Sequence, residues 1–455
     1  MKRIAFALAA ALCTSCGAAR VTVPVPPSSG AFQNARLEMV PTDTTLNAYI
    51  KHVVIIVQEN RSFDNLFSGY PGADAALSGP MHSGAEVRLH QTTLQGVDIW
   101  HNWTNAMTAW NGGKMNGFDL NPLTSGGQAR TYPYAFVARK LVAPYWTMAS
   151  QYVLADHMFP TMFGPSFTGH LDLIAGTTDL SPSEAEVDGP NNQPWGCDAP
   201  AGTRTSVIGP RRIEFGGSGP FPCFTQFRTL ADTLDAAHIS WRYYAPPVIA
   251  NSTGSIWSEF DAIRNVRYGP DWKRNVISPQ TRVLTDAAKG SLPAVAWVIP
   301  DAADSDHVSQ GPADGPSWVA AVVNAIGTGR QWKQTAIVVV WDDWGGWYDS
   351  IPPPQLDFRG LGIRVGCLIV SPYAKSHYVS HTVYEFGSIL KFVEQVFGLP
   401  PLGTLAEGYT DARANSLVDS FDFRQRPRAF KRIPAPVTPS YFLARPPSLV
   451  PPDDE

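Results

Sequence analysis

Oxygen-bearing side chains stand together at two points of this sequence, each where an apolar run ends. These residues are Glu59, Asn60, Asp342 and Asp343. Adjacent carboxylates repel each other, so the pair Asp342-Asp343 is stable near a dry surface only with a cation between them. Oxygen ligands favour a hard or borderline cation such as Mg²⁺, Ca²⁺, Mn²⁺ or iron. The pattern predicts one divalent metal ion, and a solvated acidic turn is the alternative for Asp342-Asp343 taken alone.

A serine in a Gly-Pro-Ser turn is a candidate nucleophile. Ser166 follows Gly164 and Pro165 and is predicted to begin a helix. A phosphate at that position would meet the hydroxyl and the free backbone N–H groups of the first helical turn. Coordination to a metal ion would lower the pKa of the Ser166 hydroxyl and activate it for attack. The alternative is an ordinary N-cap serine.

Two histidines in loop sequence are candidate acids. His101 lies in a Trp-rich segment, and His307 is followed seven residues later by Asp314. A protonated imidazole near a phosphoryl group stabilises added charge and can protonate the leaving oxygen. Each histidine taken alone is equally consistent with a structural role. His52 is predicted to be structural, and His381 is predicted to be a cap or packing residue.

The elements that must position these residues can be predicted from hydrophobic patterns. Short apolar runs rich in β-branched residues predict buried strands at Val53–Val57, Ala294–Ile299, Ala336–Trp341 and Gly366–Val370. None of them alternates polar with apolar residues, which is typical of strands covered on both faces. Helical spacing occurs at Thr229–His238, Trp318–Ile326 and Phe386–Phe397. This order predicts a three-layer α/β/α sandwich with a mostly parallel central sheet.

Three of the predicted strands lead directly into polar residues. The first leads into Glu59, the second into Asp301 and then His307, and the third into Asp342. In an open α/β sheet, ligands bind just beyond the carboxyl ends of the strands. We therefore expect these side chains to converge on one edge of the sheet.

The motifs, in their order along the chain, resemble those of a bacterial phosphoesterase family that contains phospholipases C and an acid phosphatase. They are Gln58-Glu59-Asn60-Arg61-Ser62-Phe63-Asp64, Gly164-Pro165-Ser166, Asp306-His307, Trp341-Asp342-Asp343-Trp344-Gly345-Gly346-Trp347-Tyr348-Asp349 and Ser371-Pro372-Tyr373-Ala374-Lys375. The resemblance covers roughly residues 50 to 425. It implies an alkaline-phosphatase-like fold with one divalent metal ion.

The resemblance also implies roles for individual residues. The implied metal ligands are Glu59, Asn60, Ser166, Asp342 and Asp343. The implied residues of the phosphate pocket, which would act in catalysis beside Ser166, are His101, His307 and Asp314. Metal-bound Ser166 would attack phosphorus, and water would then hydrolyse the phosphoserine intermediate.

The sequence departs from the common family pattern at two places. Asp343 stands where a Glu is often found, which shortens one ligand. Thr168-Gly169-His170 replaces a Pro-Asn-Arg that often follows the nucleophile turn, so His170 is predicted to take a polar role in substrate binding.

The expected function is therefore metal-dependent hydrolysis of phosphate esters. The substrate would be a diester, such as a phospholipid cleaved in the manner of a phospholipase C, or a monoester of the acid phosphatase type. A non-catalytic, envelope-anchored binding protein of the same fold is the alternative. A sulfatase would require a distinctive modification motif, which the turn at Ser166 does not resemble.

The N-terminus is typical of exported proteins. Lys2 and Arg3 precede the apolar stretch Ile4–Leu12, and Cys16 follows as a candidate for lipidation. Lipoprotein and simple secretion remain open, with the periplasm, the cell envelope or the medium as the location. The predicted organisation is a signal peptide (1–16), a flexible linker (17–44), a catalytic domain (45–430) and a Pro-rich C-terminal tail (431–455) that lies over the surface or is mobile.

Cysteine usage and charge agree with this interpretation. Cys197 and Cys223 lie in loop sequence where a disulfide is plausible in an oxidising compartment, and Cys367 is predicted to be a buried thiol. The chain carries 35 Lys and Arg against 39 Asp and Glu, without a basic run. Nucleic acid is therefore not an expected partner, whereas a membrane is one if Cys16 is lipidated.

Overall fold

The computed structural model describes residues 43–248, 255–308 and 311–450. In these residues the strands are β1 (His52–Gln58), β2 (Ser78–Pro80), β3 (Glu86–Arg88), β4 (His90–Thr92), β5 (Ala135–Val137), β6 (Val153–Phe159), β7 (Asp179–Ser181), β8 (Glu184–Asp188), β9 (Ser206–Ile208), β10 (Glu214–Phe215), β11 (Trp241–Tyr244), β12 (Val276–Ile277), β13 (Val295–Val298), β14 (Thr335–Trp341), β15 (Val365–Val370), β16 (Tyr378–Ser380) and β17 (Tyr384–Glu385). The α-helices are α1 (Phe63–Phe67), α2 (Trp103–Trp110), α3 (Ala143–Gln151), α4 (Ser166–Ala175), α5 (Leu230–Ala236), α6 (Arg264–Arg267), α7 (Asp271–Arg274), α8 (Arg282–Lys289), α9 (Gly315–Gly327), α10 (Phe386–Phe397) and α11 (Pro439–Ala444).

β1 lies inside a large mixed sheet. Within the described residues the strand order is β12-β11-β13-β1-β14-β15-β6-β16, and β17 also pairs with β6. β15 is antiparallel to β14 and to β6, whereas the other pairs are parallel. The four predicted strands correspond to β1, β13, β14 and β15, each within one residue of the predicted ends. The mostly parallel sheet is therefore confirmed.

Helices cover the sheet on both faces. Trp341, the last residue of β14, packs edge-on against Tyr145 of α3, with ring centroids 4.9 Å apart. The next residue, Asp342, lies beside His170 of α4. Because successive side chains point to opposite faces of a strand, α3 and α4 lie on opposite sides of the sheet. Helices α8, α9 and α11 belong to the layer of α3, and α5 and α10 belong to the layer of α4. This is the predicted three-layer sandwich.

The predicted helices are found with small changes at their ends. Thr229–His238 shortens to α5, Trp318–Ile326 extends to α9, and Phe386–Phe397 coincides with α10. The described part of the C-terminal tail packs against the body of the protein, because Phe442 of α11 contacts Trp318 of α9 at 5.4 Å between ring centroids.

The cysteine predictions are also confirmed. Cys197 and Cys223 form a disulfide, and Cys367 is a buried free thiol in β15. The predicted signal peptide, and all but the last two residues of the predicted linker, lie outside the described residues. No helix in the described part of the chain is both long and apolar enough to cross a membrane.

Candidate active site

The ends of β1 and β14 bring the two acidic motifs together. The strands are parallel neighbours in a register that sets Gln58 opposite Trp341. The chain continues past this point in both strands, and the backbone N–H of Asp342 donates to the carbonyl of Gln58 at 3.0 Å. Glu59 and Asn60 therefore lie beside Asp342, as the convergence of strand ends predicts.

Asn60 has an unusual backbone conformation that the site requires. It is buried and has a φ of 59°, in the left-handed region that asparagine tolerates better than most residues. Its backbone N–H donates to Asp342 Oδ1 at 3.0 Å. A Cβ at Gly345 would lie 2.1 Å from the carbonyl oxygen of Asn60, so only glycine fits there. The first Gly of the Trp-Gly-Gly segment thus allows this close approach.

The two oxygens of Asp342 have different surroundings. Oδ1 accepts hydrogen bonds from the backbone N–H groups of Asn60 (3.0 Å) and Asp343 (2.8 Å). Oδ2 is buried and has no hydrogen-bond partner among the described residues, although it lies 3.6 Å from Nε2 of His170. Since a buried carboxylate oxygen without a partner is costly, this atom is suited to a ligand that the chain itself does not provide.

Glu59, His170 and Asp342 form a group that fits a divalent metal ion. Each offers one ligand atom, these atoms lie within 4.8 Å of one another, and all three residues are buried. Nε2 of His170 lies 3.0 Å from Glu59 Oε1. Two carboxylates and an imidazole are a common donor set for a borderline cation. The sequence predicted Glu59 and Asp342 as ligands but assigned His170 to substrate binding, and the structure sets its imidazole among the candidate ligands.

His170 reaches this position because α4 packs very closely against β14. A Cβ at Gly169 would lie 2.5 Å from the carbonyl oxygen of Asp342, so the helix can approach only with glycine at this point. Ser166 and His170 are four residues apart and therefore share one face of α4. The close approach at Gly169 thus brings both the Ser166 hydroxyl and the His170 imidazole to the ends of the strands.

The hydroxyl of Ser166 contacts Asn60 and Asp343. Its Oγ lies 3.1 Å from Asn60 Oδ1 and 3.0 Å from Asp343 Oδ2, and the residue is 1% exposed. A hydroxyl has one proton, so only one of these oxygens accepts at a time. Ser166 is also the first residue of α4, where the backbone N–H groups lack intrahelical acceptors and favour an anion.

His101 orients the amide of Asn60. Its Nδ1 lies 2.6 Å from the carbonyl oxygen of Ile99, which can only accept, so Nδ1 carries a proton. In the neutral ring Nε2 then accepts from Asn60 Nδ2 at 2.7 Å. This arrangement turns Asn60 Oδ1 towards Ser166. His101 Nε2 also lies 3.6 Å from Asp343 Oδ1, so the histidine contacts both partners of the serine.

His307 lies beside His101 in a loop that is firmly held. The two imidazole centroids are 6.4 Å apart, and His307 Nδ1 lies 2.6 Å from the carbonyl oxygen of Val308. Buried Arg61 donates from Nε (2.9 Å) and Nη2 (2.7 Å) to the carbonyl oxygen of Asp306. Sequence reasoning did not foresee this role of Arg61, although its place in the Glu-Asn-Arg-Ser-Phe-Asp motif was a signal.

Asp306 is a buried acid that braces the same loop. Its Oδ2 accepts from Tyr145 Oη (2.7 Å) and from Trp341 Nε1 (3.0 Å). Burial raises the pKa of Asp306 to about 6, and the hydrogen bond from Tyr145 and the charge of Arg61 oppose that rise. The hydrogen bonds to Asp306 therefore help to hold the loop that carries His307.

Asp314 is the predicted site residue that the structure does not join to the cluster. Its Oδ2 accepts from Tyr441 Oη at 2.9 Å and lies 3.6 Å from Arg445 Nη1. In the described residues it therefore contacts the C-terminal segment around α11 and makes no hydrogen bond to the serine or the acids. His52 and His381 also lie elsewhere: His52 contacts the carbonyl oxygen of Pro293, and His381 lies at the edge of the sheet.

The chain is similar to a known family and to known proteins over most of its length. The phosphoesterase family matches residues 50–400 of the chain. Phospholipase C A of Mycobacterium tuberculosis is 24% identical over 439 residues, which cover 84% of this chain and 78% of that protein. Phospholipase C B of the same organism is 25% identical over 446 residues, with 84% and 79% covered.

A longer relative and a solved structure are also similar to this chain, and smaller shares of their lengths are covered. The non-hemolytic phospholipase C of Pseudomonas aeruginosa is 26% identical over 418 residues, which cover 77% of this chain and 54% of that protein. The chain thus spans about half the length of that relative. Among solved structures, a Vibrio parahaemolyticus protein in the alkaline phosphatase superfamily aligns with a TM-score of 0.37 and 12% identity, covering 77% of this chain and 67% of that chain.

Proposed function

The chain belongs to the phosphoesterase family, and on that basis we propose that it is a metal-dependent, phospholipase C-type hydrolase that cleaves phosphate esters with Ser166 as nucleophile. The observation that carries the proposal is the position of Ser166 Oγ, 3.0 Å from a carboxylate oxygen of Asp343. The hydroxyl has a proton acceptor, Asp343, at hydrogen-bonding distance. It also stands at the start of a buried helix, where backbone N–H groups favour an anion.

Glu59, His170 and Asp342 would hold the metal ion. Their close, buried donor atoms and the unpartnered Oδ2 of Asp342 support this assignment. The family resemblance adds Asn60, Ser166 and Asp343 to this set. The imidazole of His170 favours a borderline ion such as Mn²⁺, iron or Zn²⁺ over Mg²⁺ and Ca²⁺. When bound, the ion would lower the pKa of a nearby hydroxyl and neutralise charge on the phosphoryl oxygens.

The first step transfers the phosphoryl group to the serine. Ser166 Oγ forms a bond to phosphorus while the bond between phosphorus and the leaving oxygen breaks, and the Oγ proton passes to Asp343 Oδ2. We assign protonation of the leaving oxygen to the imidazolium form of His307. Neutral His101 keeps Asn60 turned towards Ser166 and acts as a positioning residue.

The second step returns the enzyme to its starting state. Water attacks phosphorus and gives one proton to His307, while the bond between phosphorus and Ser166 Oγ breaks. Oγ recovers its proton from Asp343. In the first step one proton leaves His307 with the departing oxygen, and in the second step water returns one proton to His307. The Ser166 proton moves to Asp343 and back, so the cycle balances.

The substrate class that the comparisons favour is a phosphodiester. The similar proteins from Mycobacterium tuberculosis and Pseudomonas aeruginosa are named phospholipases C, so we propose a phospholipid as the substrate. A phosphomonoester of the acid phosphatase type is the other outcome that the assay below distinguishes.

The test is hydrolysis of paired chromogenic substrates, a phosphomonoester and a phosphodiester, with and without chelator. Ser166→Ala is compared with wild type and with the control Ser183→Ala, which changes an exposed serine of the β7–β8 turn. We expect Ser166→Ala to lower kcat/KM by about 10³-fold or more, and Ser183→Ala to be unchanged. Chelation should abolish turnover, and Mn²⁺, Fe²⁺ or Zn²⁺ should restore it.

The outcomes separate the alternatives. Full activity of Ser166→Ala would show that the nucleophile is wrong. Activity that resists exhaustive chelation would show that the metal requirement is wrong. A wild-type protein that hydrolyses no phosphate ester with any added metal would favour the non-catalytic binding protein.

We also propose that the protein is exported, with Cys16 as a candidate lipid attachment site. The disulfide between Cys197 and Cys223 supports an oxidising compartment. Mass spectrometry of the mature N-terminus tests the anchor: a lipid-modified Cys16 is the expected result for a lipoprotein, and an unmodified start beyond residue 16 would exclude it.

A further inference from the structure

A second group of metal-binding side chains lies away from the candidate active site, at the edge of the central sheet. Asp156 belongs to β6, and His381 lies in the turn between β16 and β17, which both pair with β6. Asp74 reaches them from the loop after α1. The three residues each offer one ligand atom, and these atoms lie within 4.8 Å of one another. The edge of the sheet thus holds two carboxylates and an imidazole in one place.

The contacts within this group are short and specific. His381 Nδ1 lies 2.9 Å and 3.1 Å from the two oxygens of Asp156, and the backbone N–H of Asp74 donates to Asp156 Oδ2 at 2.8 Å. His157 Nε2 lies 2.9 Å from Asp74 Oδ2. The side chain of Asp156 is fully buried, whereas those of Asp74 and His381 are each 55% exposed. Asp156 is therefore the buried member of the group, and Asp74 and His381 face the solvent.

The backbone at Asp74 and Asp156 is held by Arg364, which is not one of the three candidate ligands. Arg364 Nη1 donates to the carbonyl oxygens of both Asp74 and Asp156, at 2.8 Å in each case. Because Arg364 is fully buried, it fixes the distance between the loop and β6. Preorganised ligands lose little conformational entropy when they bind an ion.

We propose that Asp74, Asp156 and His381 form a zinc site, with His157 orienting the carboxylate of Asp74. One imidazole and two carboxylates are a donor set that zinc accepts, and water from the exposed side would complete a tetrahedral arrangement. A histidine hydrogen-bonded to a ligating carboxylate is a typical supporting contact in metal sites.

The proposed ion would fasten the edge of the sheet. β16 and β17 are strands of three and two residues, so few backbone hydrogen bonds hold them to β6. A zinc ion shared by β6, the β16–β17 turn and the loop after α1 would join three segments that are distant in sequence. The site is thus structural, and it does not depend on the proposed catalytic metal or on the proposed reaction.

The experiment counts zinc ions on the full-length, chelator-stripped protein by isothermal titration calorimetry and elemental analysis. His381→Ala and Asp74→Asn change half-exposed side chains and are expected to fold. The matched control is His82→Ala, which removes an exposed histidine elsewhere on the surface. We expect wild type and His82→Ala to bind one more equivalent of zinc than His381→Ala and Asp74→Asn.

A second measurement follows thermal unfolding. Zinc should raise the Tm of wild type more than that of His381→Ala, because an ion that binds only the folded state stabilises it. The same difference should persist when both proteins also carry Asp342→Asn, which removes a candidate ligand of the active site. Equal zinc stoichiometry and equal Tm shifts for wild type, His381→Ala and Asp74→Asn would overturn the proposal.

Discussion

Two of the groups of buried carboxylates in the described residues differ in what balances their charge. In the first group, Asp64 and Asp349 face the guanidinium of Arg364 at 3.4 Å and 2.9 Å, and all three residues are fully buried. Backbone N–H groups of Ala76 and Ser350 add hydrogen bonds to Asp64. The permanent positive charge of Arg364 thus balances these carboxylates, and we interpret the group as structural.

The second group consists of Glu59, Asp342 and Asp343, and its described ion pairs involve histidines. His170 lies beside Glu59 and Asp342, and His101 lies beside Asp343. An imidazole is charged only when it is protonated, and Asp342 Oδ2 has no hydrogen-bond partner among the described residues. The comparison teaches that burial of carboxylates does not by itself mark a functional site. The two groups differ in whether a fixed cation already balances the carboxylates.

The two groups come from the same two sequence segments. The segment after β1 supplies Glu59 to one group and Asp64, five residues later, to the other. The segment after β14 supplies Asp342 and Asp349 in the same order. Each segment therefore begins with a candidate functional acid and ends with a structural one, so substitutions in each segment can test the distinction.

The largest expected effect is the loss of activity in Asp342→Asn. The amide oxygen can still accept the two backbone hydrogen bonds that Oδ1 accepts, but the charge that would bind the metal is gone. We expect turnover to fall by about 10³-fold, while the free energy of unfolding of the metal-free protein, measured with urea, is unchanged or higher. A large loss of stability without metal would place Asp342 in the structural class.

The next largest effect is a loss of stability in Arg364→Leu. Removing the guanidinium leaves two buried carboxylates without their partner, which costs about 3–5 kcal/mol. Urea denaturation monitored by tryptophan fluorescence gives the free energy of unfolding. The matched control is Arg424→Leu, because Arg424 pairs with Asp422 but its side chain is 93% exposed, and we expect no measurable change. Equal stability of the two variants would remove the distinction between the groups.

The pH dependence of stability extends the comparison to Asp306, a buried acid outside both groups. Its pKa is raised from an ordinary 3.8 to about 6 in the folded state, chiefly by burial. The folded protein therefore holds this proton more tightly than the unfolded chain does, and stability is lost as pH rises from about 4 to about 6. The loss is up to about 3 kcal/mol at 1.36 kcal/mol per pKa unit.

Asp306→Asn should flatten that dependence. The amide oxygen can accept the hydrogen bonds from Tyr145 and Trp341, but the residue no longer titrates. Urea unfolding of both proteins at several pH values between 4 and 7 measures the difference. Parallel profiles for wild type and Asp306→Asn would show that burial does not raise the pKa of this acid.

The smallest expected effect is that of Gly169→Ala. The added Cβ would lie 2.5 Å from the carbonyl oxygen of Asp342, so α4 must move away from β14. We expect a loss of about 1–3 kcal/mol in the free energy of unfolding, together with a lower affinity for the metal ion. Gly216→Ala, where the nearest atom is 3.8 Å away, is the matched control and should change neither quantity.

The sequence predicts the strands well where hydrophobic pattern alone decides the structure. β1, β13, β14 and β15 are continuous apolar runs, and each was found within one residue of its predicted ends. β6 was missed because Asp156 and His157 interrupt its apolar pattern. These polar side chains are tolerated there because His381 contacts the carboxylate of Asp156 and Asp74 contacts the imidazole of His157, a compensation that only tertiary structure shows.

The same limit applies to the site. The strand-end rule correctly brings Asn60 beside Asp342. It does not show that His170 lies among the acids, because that depends on the close packing allowed by Gly169. Nor does it show that Asp314 contacts the C-terminal segment, because that contact depends on chain folded more than 100 residues later.

The most direct test of the central claim is to trap the covalent intermediate on Ser166. The metal-loaded protein is mixed with substrate, quenched in acid within the first turnover and digested for peptide mass spectrometry. We predict that the peptide containing Ser166 gains the mass of the transferred phosphoryl group, and that Asp342→Asn and chelated wild type do not form this adduct. Rapid turnover with an unmodified Ser166 peptide at every quench time, or an adduct on a different residue, would contradict the assignment.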